Sequence, residues 1–171
     1  MNIVVTGPES CGKTELASEL SRYFMLDMVP EIARSYLSSI SRSYLPSDLL
    51  LISELQYQRE ESVAGDSSFV ADTDQQALSI WWGEKYGPVP RKIQNCFEGQ
   101  SDRFYLLCSP DLPWEEDPQR ENPDDRNRLF ELYLSDLERR NLSYKIISGF
   151  GLDRIKKAIS ATEDHTNSSI S

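Results

Sequence analysis

Residues 7–14 read Gly-Pro-Glu-Ser-Cys-Gly-Lys-Thr, which is the complete G-x-x-x-x-G-K-[ST] phosphate-binding pattern. The pattern follows a short apolar run at residues 3–5 and precedes a helically spaced apolar stretch that begins at Leu16. A strand, a glycine-rich turn and a helix are the parts this loop needs, because backbone N–H groups and a helix N-terminus together attract phosphate. A glycine turn that merely contains Lys-Thr is the alternative, and the flanking segments disfavour it. The sequence therefore predicts binding of a nucleoside triphosphate.

The loop supplies the candidate nucleotide ligands. In such a loop, Lys13 reaches the β- and γ-phosphates of ATP, and the Thr14 hydroxyl can ligate Mg²⁺. The full set of candidate nucleotide-binding residues is Gly7, Glu9, Ser10, Cys11, Gly12, Lys13 and Thr14.

Composition narrows the functional class. The chain has 171 residues, enough for one domain, and a formal net charge of −10, which argues against a nucleic-acid partner. Its three cysteines have no metal-ligand spacing and are odd in number, so a reducing cytoplasm fits best. The sequence starts with a predicted strand rather than a basic-then-apolar leader, and its apolar runs are shorter than the roughly 18 residues a membrane span needs. We expect a cytoplasmic protein with neither nucleic acid nor membrane as partner.

Five apolar runs, at residues 3–6, 26–29, 68–71, 104–108 and 144–148, alternate with mostly helical patterns. This alternation predicts an α/β fold of the P-loop NTPase type, with a five-stranded parallel sheet and helices on both faces. Ligands of such sheets bind beyond the carboxyl ends of the strands.

The remaining segments complete the predicted domain. Helices are expected at residues 46–64, 75–86 and about 124–140. Residues 109–125 are proline-rich and acidic, which is typical of a lid loop. We expect a single domain over residues 1–160 and a flexible tail over 161–171 that contains the one histidine, His165.

Two carboxylates end the third apolar run. Asp72 is a candidate catalytic residue and, with Thr14, a candidate Mg²⁺ ligand, because a strand-end carboxylate near the phosphates can hold the metal. Asp74 is a candidate substrate-binding residue. The alternative for both is an Asx turn that caps the next helix.

Glu31 and Arg34 follow the second apolar run. Their spacing places them on one side of a helix start, where they can bind substrate. Glu31 could accept a proton or hydrogen-bond sugar hydroxyls, whereas an ordinary surface ion pair is the alternative. Glu31 or Asp72 is the candidate base.

The predicted lid carries Arg120, and Arg126 follows it. Both are candidate catalytic residues, because arginines on a mobile loop can screen charge that develops during phosphoryl transfer. Trp114 either stacks on a planar ligand or anchors the loop. Trp81 and Trp82 are interpreted as packing residues.

With these residues in view, the chain resembles the ribosylnicotinamide kinase domain of NadR-type proteins. The resemblance covers about residues 2–160 and is carried by the phosphate loop, Pro30-Glu31-Ile-Ala-Arg34, Gln56, Asp72-Thr-Asp74, and Pro113-Trp114 with Asp117, Arg120 and Arg126. It implies ATP- and Mg²⁺-dependent phosphorylation of the 5′-hydroxyl of nicotinamide riboside, a small-molecule nucleoside. It also implies that Glu31, Arg34, Gln56, Asp74 and Trp114 bind the substrate.

Two alternatives stay open. Kinases of this kind can hold the pyridinium between aromatic side chains, but the corresponding positions here are Pro30 and Glu60-Glu61, so another nucleoside is possible. A P-loop ATPase or regulatory switch without a small-molecule acceptor is the second alternative. The sequence does not predict an oligomeric state.

Overall fold

All five strands lie where the apolar runs of the sequence place them. A computed structural model describes residues 1–64, 68–100 and 102–168. The elements are β1 (Asn2–Thr6), α1 (Lys13–Phe24), β2 (Asp27–Val29), α2 (Ile32–Ser39), α3 (Pro46–Ala64), β3 (Phe69–Asp72), α4 (Gln75–Tyr86), α5 (Arg91–Glu98), β4 (Arg103–Cys108), α6 (Arg126–Arg139), β5 (Ser143–Ile147) and α7 (Gly151–Ser168).

The strands form one parallel sheet in the order β2-β3-β1-β4-β5. The central strand β1 is flanked by β3, with Val4 opposite Ala71, and by β4, with Val4 opposite Tyr105. Because both of its neighbours run parallel, the carboxyl ends of β1, β3 and β4 meet at one edge. This confirms the predicted fold class.

Successive residues of each strand pack on opposite faces of the sheet. Ile3 and Val5 join the cluster that α1 and α7 cover, whereas Val4 joins the cluster that α6 covers. Both clusters are closed to solvent, which explains why the strands are continuous apolar runs rather than alternating ones.

A third buried cluster lies among α2, α3, α4 and α5. Its members include Leu49, Ile52, Leu78, Trp82 and Ile93. This helical subassembly was only partly predicted, because the sequence pattern did not indicate α5. It stands beside the strand ends and forms one wall of the cavity described below.

The C-terminal segment corrects the expectation of a flexible tail. Helix α7 continues to Ser168, Thr162 is 2 % exposed, and the His165 ring stacks on Phe104 with centroids 4.2 Å apart. Small and polar residues dominate this stretch, so its packing gives little apolar periodicity in the sequence. Residues 169–171 of the predicted tail lie outside the described residues.

Among residues 1–64, 68–100 and 102–168, no helix has both the length and the apolar character that crossing a bilayer requires.

Candidate active site

A cavity of about 880 Å³ opens at the carboxyl ends of the strands. The phosphate loop forms one end of it, and α2, α3 and α4 form the other. The segment 109–125 and α6 close the remaining sides. One space therefore joins the predicted nucleotide loop to a chamber walled by α2, α3 and α4.

Glycine is required at two positions of the loop. Gly7 has a φ of +132°, and a Cβ there would lie 2.8 Å from the Cys108 carbonyl oxygen. Gly12 has a φ of +73°, and a Cβ would lie 2.7 Å from a Leu112 methyl carbon. Without a side chain, Gly7 can pass close to the end of β4 and Gly12 can pass close to Leu112 of the lid.

The Lys13 ammonium is held inside the loop. Its Nζ donates a 2.7 Å hydrogen bond to the Pro8 carbonyl oxygen, which keeps the side chain folded toward the cavity. Burial lowers the pKa of Lys13, but the surrounding acidic groups, Cys11, Tyr133 and Glu31 among them, outweigh burial and raise it above the ordinary value. Lys13 is therefore cationic, as a phosphate ligand has to be.

Cys11 lies beneath the same loop and is 1 % exposed. Its Sγ donates to the Pro8 carbonyl oxygen at 2.9 Å. Burial raises the pKa of this thiol, but a hydrogen bond with Cys108 and the charges of Lys13 and Arg154 outweigh burial and lower it to about 7.

Thr14 and Asp72 meet at the start of α1. The Thr14 hydroxyl donates a 2.6 Å hydrogen bond to Asp72 Oδ2. Asp72 is 3 % exposed, and its other oxygen, Oδ1, is buried without a hydrogen-bond partner among the described residues. Burial raises the pKa of Asp72, although the Thr14 hydrogen bond and the Lys13 charge oppose this. An unsatisfied carboxylate oxygen beside a hydroxyl is a donor set that fits Mg²⁺.

The described part of the chain holds no group of three or more His, Cys, Asp or Glu side chains suited to a metal. A Mg²⁺ site of the P-loop kind does not need such a group, because one or two protein ligands act together with substrate phosphates.

The predicted lid is coil and is fastened to the phosphate loop through Ser10. The Ser10 hydroxyl donates to the Pro113 carbonyl oxygen at 3.3 Å and accepts from the Glu115 backbone N–H at 2.9 Å. Arg120 Nη1 donates to the same hydroxyl at 3.2 Å. Arg120 is thus brought to the phosphate loop, as the sequence predicted.

Two further contacts fasten the lid. The Glu9 carboxylate accepts hydrogen bonds from the backbone N–H groups of Glu121 and Asn122, the latter at 2.9 Å. Arg126 Nη1 donates to the carbonyl oxygens of Ser10 and Leu112, at 3.1 and 2.9 Å. In this geometry Arg126 supports the loops without lining the cavity, whereas Glu9 and Arg120 both line it.

Helix α7 also supports the phosphate loop, which the sequence did not indicate. Arg154 is 4 % exposed and donates to the Cys11 carbonyl oxygen at 2.9 Å. It also bonds Asp111 at 2.7 Å, so that the phosphate loop, the lid and α7 share one guanidinium.

Glu31 and Arg34 both line the cavity at the start of α2. They lie 4.0 Å apart, and Arg34 makes its shorter bond, of 2.9 Å, to Asp117 of the lid. Burial raises the pKa of Glu31, while the Lys13 charge opposes this. A carboxylate with a raised pKa facing the phosphate loop is suited to accepting a proton.

Asp74 lines the cavity, as expected, but both of its carboxylate oxygens bind protein groups. It caps α4 by accepting from the Gln76 N–H, and its other oxygen accepts from Arg103 at 2.9 Å and Tyr105 at 2.7 Å. With its carboxylate engaged by protein donors, Asp74 holds α4 in place rather than offering a free group to a substrate. The helix-cap alternative is the one realised.

Gln56 is also engaged inside the protein. Its Oε1 accepts from the Ile32 N–H at 3.0 Å, and its Nε2 donates to Glu60 at 2.7 Å. Gln56 borders the cavity, but its amide fixes the first turn of α2, which carries Glu31 and Arg34.

The structure realises the anchoring alternative for Trp114 and gives Trp81 a second contact besides packing. Trp114 does not line the cavity and instead lies under Arg120 and Arg126, with guanidinium carbons 6.0 and 5.8 Å from the ring centre. Trp81, interpreted as a packing residue, does pack against the helical cluster and also lines the cavity. Sequence reasoning missed this cavity contact and those of Lys85, Glu121 and Tyr133. The only signal that could have found Trp81 is its helical spacing from the strand end, on the same face as Leu78 and Asp74.

Comparisons with known proteins agree with this architecture. A profile of the AAA domain family matches residues 2–154. Sequence comparison with curated proteins finds no match.

Solved structures share the fold at low sequence identity. The crystal structure of NadR protein in complex with NAD and AMP-PNP has a TM-score of 0.77 at 20% identity, covering 95% of this chain and 48% of the NadR chain. The structure of NadR protein in complex with NR has a TM-score of 0.77 at 19% identity, covering 96% and 49%. Deoxyadenosine kinase from M. mycoides, with products dCMP and a flexible dCDP bound, has a TM-score of 0.68 at 10% identity, covering 96% and 100%. The chain thus spans about half the length of NadR and shares the fold of P-loop kinases.

Proposed function

The chain belongs to the AAA domain family, and on that premise we propose that it is a small-molecule kinase. It transfers the ATP γ-phosphoryl group to the 5′-hydroxyl of nicotinamide riboside or a related nucleoside. The observation that carries the proposal is the cavity of about 880 Å³, which connects the phosphate loop to a chamber walled by α2, α3 and α4. A switch that only hydrolyses ATP has no need of such a chamber.

The phosphate loop binds the donor. The backbone N–H groups between Gly7 and Thr14 face the phosphates. When ATP binds, the Lys13 ammonium leaves the Pro8 carbonyl oxygen and donates hydrogen bonds to the β- and γ-phosphate oxygens instead. The charge of Lys13 is secure, because its pKa is raised by neighbouring acidic groups.

Thr14 and Asp72 are the residues that would hold Mg²⁺. The hydroxyl and the unsatisfied Asp72 Oδ1 provide oxygen ligands at the start of α1. When bound, the ion neutralises charge on the β- and γ-phosphates.

The acceptor hydroxyl oxygen forms the new bond to the γ-phosphorus, while the bond from the γ-phosphorus to the β,γ-bridging oxygen breaks and ADP leaves. The hydroxyl proton passes to a carboxylate, for which Glu31 at the cavity wall is the best placed. Because the transition state is loose, alignment and charge screening contribute more than the strength of the base.

Arg120 supplies the screening charge from the lid. It is 17% exposed and bonded to Ser10 of the phosphate loop, so its guanidinium stands beside the transferred group. Trp114 and Arg126 keep the lid in this position.

The proposal is tested by ADP release from ATP and Mg²⁺ with a panel of nucleosides that includes nicotinamide riboside. Stimulation of ADP release by one class of nucleoside, with a matching nucleoside monophosphate as product, is the expected result. ADP release that no nucleoside in the panel changes would support the switch alternative and contradict the kinase.

A further inference from the structure

Two adjacent tryptophans of α4 occupy different environments. Trp82 is 9 % exposed and packs in the helical cluster with Ile93. Trp81 is half-buried and lines the cavity, together with Leu78 three residues before it and Ala77 four residues before it. Residues at this spacing share one face of a helix, so the cavity-facing side of α4 ends in an indole ring.

The position of Trp81 along α4 matches the length of a nucleoside. It lies seven residues beyond Asp74, which corresponds to about 10 Å of helical rise. The strand end, with Asp72 and Thr14, marks the place of phosphoryl transfer. A nucleoside with its 5′-hydroxyl at that end therefore extends its heterocycle toward Trp81.

The ring is held in a fixed orientation. Trp81 Nε1 donates to the Tyr44 hydroxyl at 3.1 Å, and the two rings pack edge to face with centroids 5.1 Å apart. Tyr44 in turn donates to Glu121 of the lid at 3.3 Å. Because the single polar group of the indole is already satisfied, the ring offers a ligand its π surface.

Two cations that line the same cavity are neutralised by acidic partners. Lys85 is paired with Glu121, and Arg34 is paired with Asp117. Neither cation therefore repels a positively charged ligand strongly, and a cationic heterocycle gains cation–π attraction on the indole.

We propose that Trp81 is a specificity-determining residue of the kinase, on whose ring the planar heterocycle of the acceptor stacks, with preference for a cationic pyridine ring. This rests on the proposed function, since it assigns the acceptor end of the same cavity. It also supplies the chamber with an aromatic residue. The positions where the resemblance leads one to expect aromatic side chains hold Pro30 and Glu60-Glu61 instead.

The first test is steady-state kinetics with nicotinamide riboside and a neutral pyrimidine nucleoside. W81A should raise the KM for nicotinamide riboside about tenfold or more, because it removes the binding free energy of one aromatic stacking interaction. The KM for ATP should stay within about twofold of the wild-type value. W81F should restore most of the loss because phenylalanine keeps an aromatic surface, whereas W81L, which fills space without an aromatic ring, should not; equal rescue by both variants would show a packing role only. The control is Y86A, on the same helix, whose ring packs on Trp82 rather than lining the cavity.

The second test needs no turnover. Nicotinamide riboside without ATP should quench tryptophan fluorescence in the wild type and in W114F, but not in W81F, because a stacked pyridinium quenches an indole. Quenching that persists in W81F and disappears in W114F would overturn the proposal and return the role to Trp114.

The outcomes separate the two proposals. If the wild type phosphorylates nicotinamide riboside and W81A keeps the same KM, the assignment of Trp81 fails while the kinase stands. If the wild type phosphorylates no nucleoside, the proposed function itself fails, and the stacking assignment fails with it.

Discussion

Thr14 and Asp72, which are 58 residues apart in the chain, are joined by a 2.6 Å hydrogen bond between hydroxyl and carboxylate. The bond links the first turn of α1 to the end of β3, and it leaves Asp72 Oδ1 buried without a partner. A buried carboxylate oxygen without a hydrogen bond is costly. The Mg²⁺ ligand role proposed for Asp72 would satisfy this oxygen, whereas the bond to Thr14 does not.

Replacing the carboxylate tests this explanation. Asp72→Asn keeps the shape of the side chain but removes the charge, so we expect kcat to fall about 10²–10³-fold and the apparent Mg²⁺ requirement to rise. The measurement is kcat against Mg²⁺ concentration. The control is Asp27→Asn, an exposed position on the edge strand β2. Wild-type Mg²⁺ dependence in Asp72→Asn would rule out the metal role.

The lid arginine should act on the transition state rather than on binding. Arg120→Ala should lower kcat about 10²–10³-fold, with a smaller effect on the KM for the acceptor, because the charge it screens develops during transfer. Arg128→Ala is the matched control, since Arg128 is half-exposed on α6 and paired with Asp125. Equal activity of the two variants would show that Arg120 only fastens the lid.

The Cys11 thiol should titrate in the neutral range. Because Cys11 is 1 % exposed, iodoacetamide reaches it only when the phosphate loop opens, so its alkylation should be slower than that of the less buried Cys96. The pKa of Cys11 is lowered to about 7, so the rate should be half-maximal near pH 7 and level off by about pH 8.5, as the thiolate fraction does. ATP with Mg²⁺ should slow the reaction, because the thiol lies beneath the phosphate loop. Peptide mapping by mass spectrometry identifies the labelled cysteine. A rate at Cys11 that still rises steeply above pH 8.5, or that ATP leaves unchanged, would contradict this prediction.

Asp74 should behave as a structural residue. Asp74→Ala breaks a buried ion pair with Arg103 and removes the cap of α4, so the free energy of unfolding should drop by about 3–5 kcal/mol. Urea unfolding measures this, with Asp27→Ala expected to stay within about 0.5 kcal/mol of the wild type. A variant of wild-type stability with a raised acceptor KM would instead restore the substrate-binding role expected from the sequence.

Local patterns predicted the elements well. The strands and α3 follow directly from apolar runs and from the Pro46 helix start, because buried strands and capped helices have local sequence signals. The order of the strands, with β1 between β3 and β4, depends on contacts between distant segments and was not predicted.

The site residues were predicted where a local sequence signal indicates them and were missed where only contacts between distant segments do. The phosphate loop and Asp72 are identified by position relative to a strand, and the structure brings them together. The fastening of the lid uses backbone groups such as the Pro113 carbonyl oxygen, which any residue type could supply, so the sequence gives no signal for it. Trp81 and Trp82 are adjacent and both contact the helical cluster, so only the three-dimensional structure shows that Trp82 is buried and that Trp81 also lines the cavity.

The central claim is that the γ-phosphoryl group moves to a nucleoside acceptor. The most direct measurement follows γ-³²P-labelled ATP in a single turnover with excess enzyme, Mg²⁺ and nicotinamide riboside, and uses Lys13→Ala as the inactive control. The account predicts that the label appears in a nucleoside monophosphate in equal amount to the ADP formed, and that Lys13→Ala transfers none. Label that appears only as inorganic phosphate, with every nucleoside offered, would contradict the account, and so would near-full transfer by Lys13→Ala.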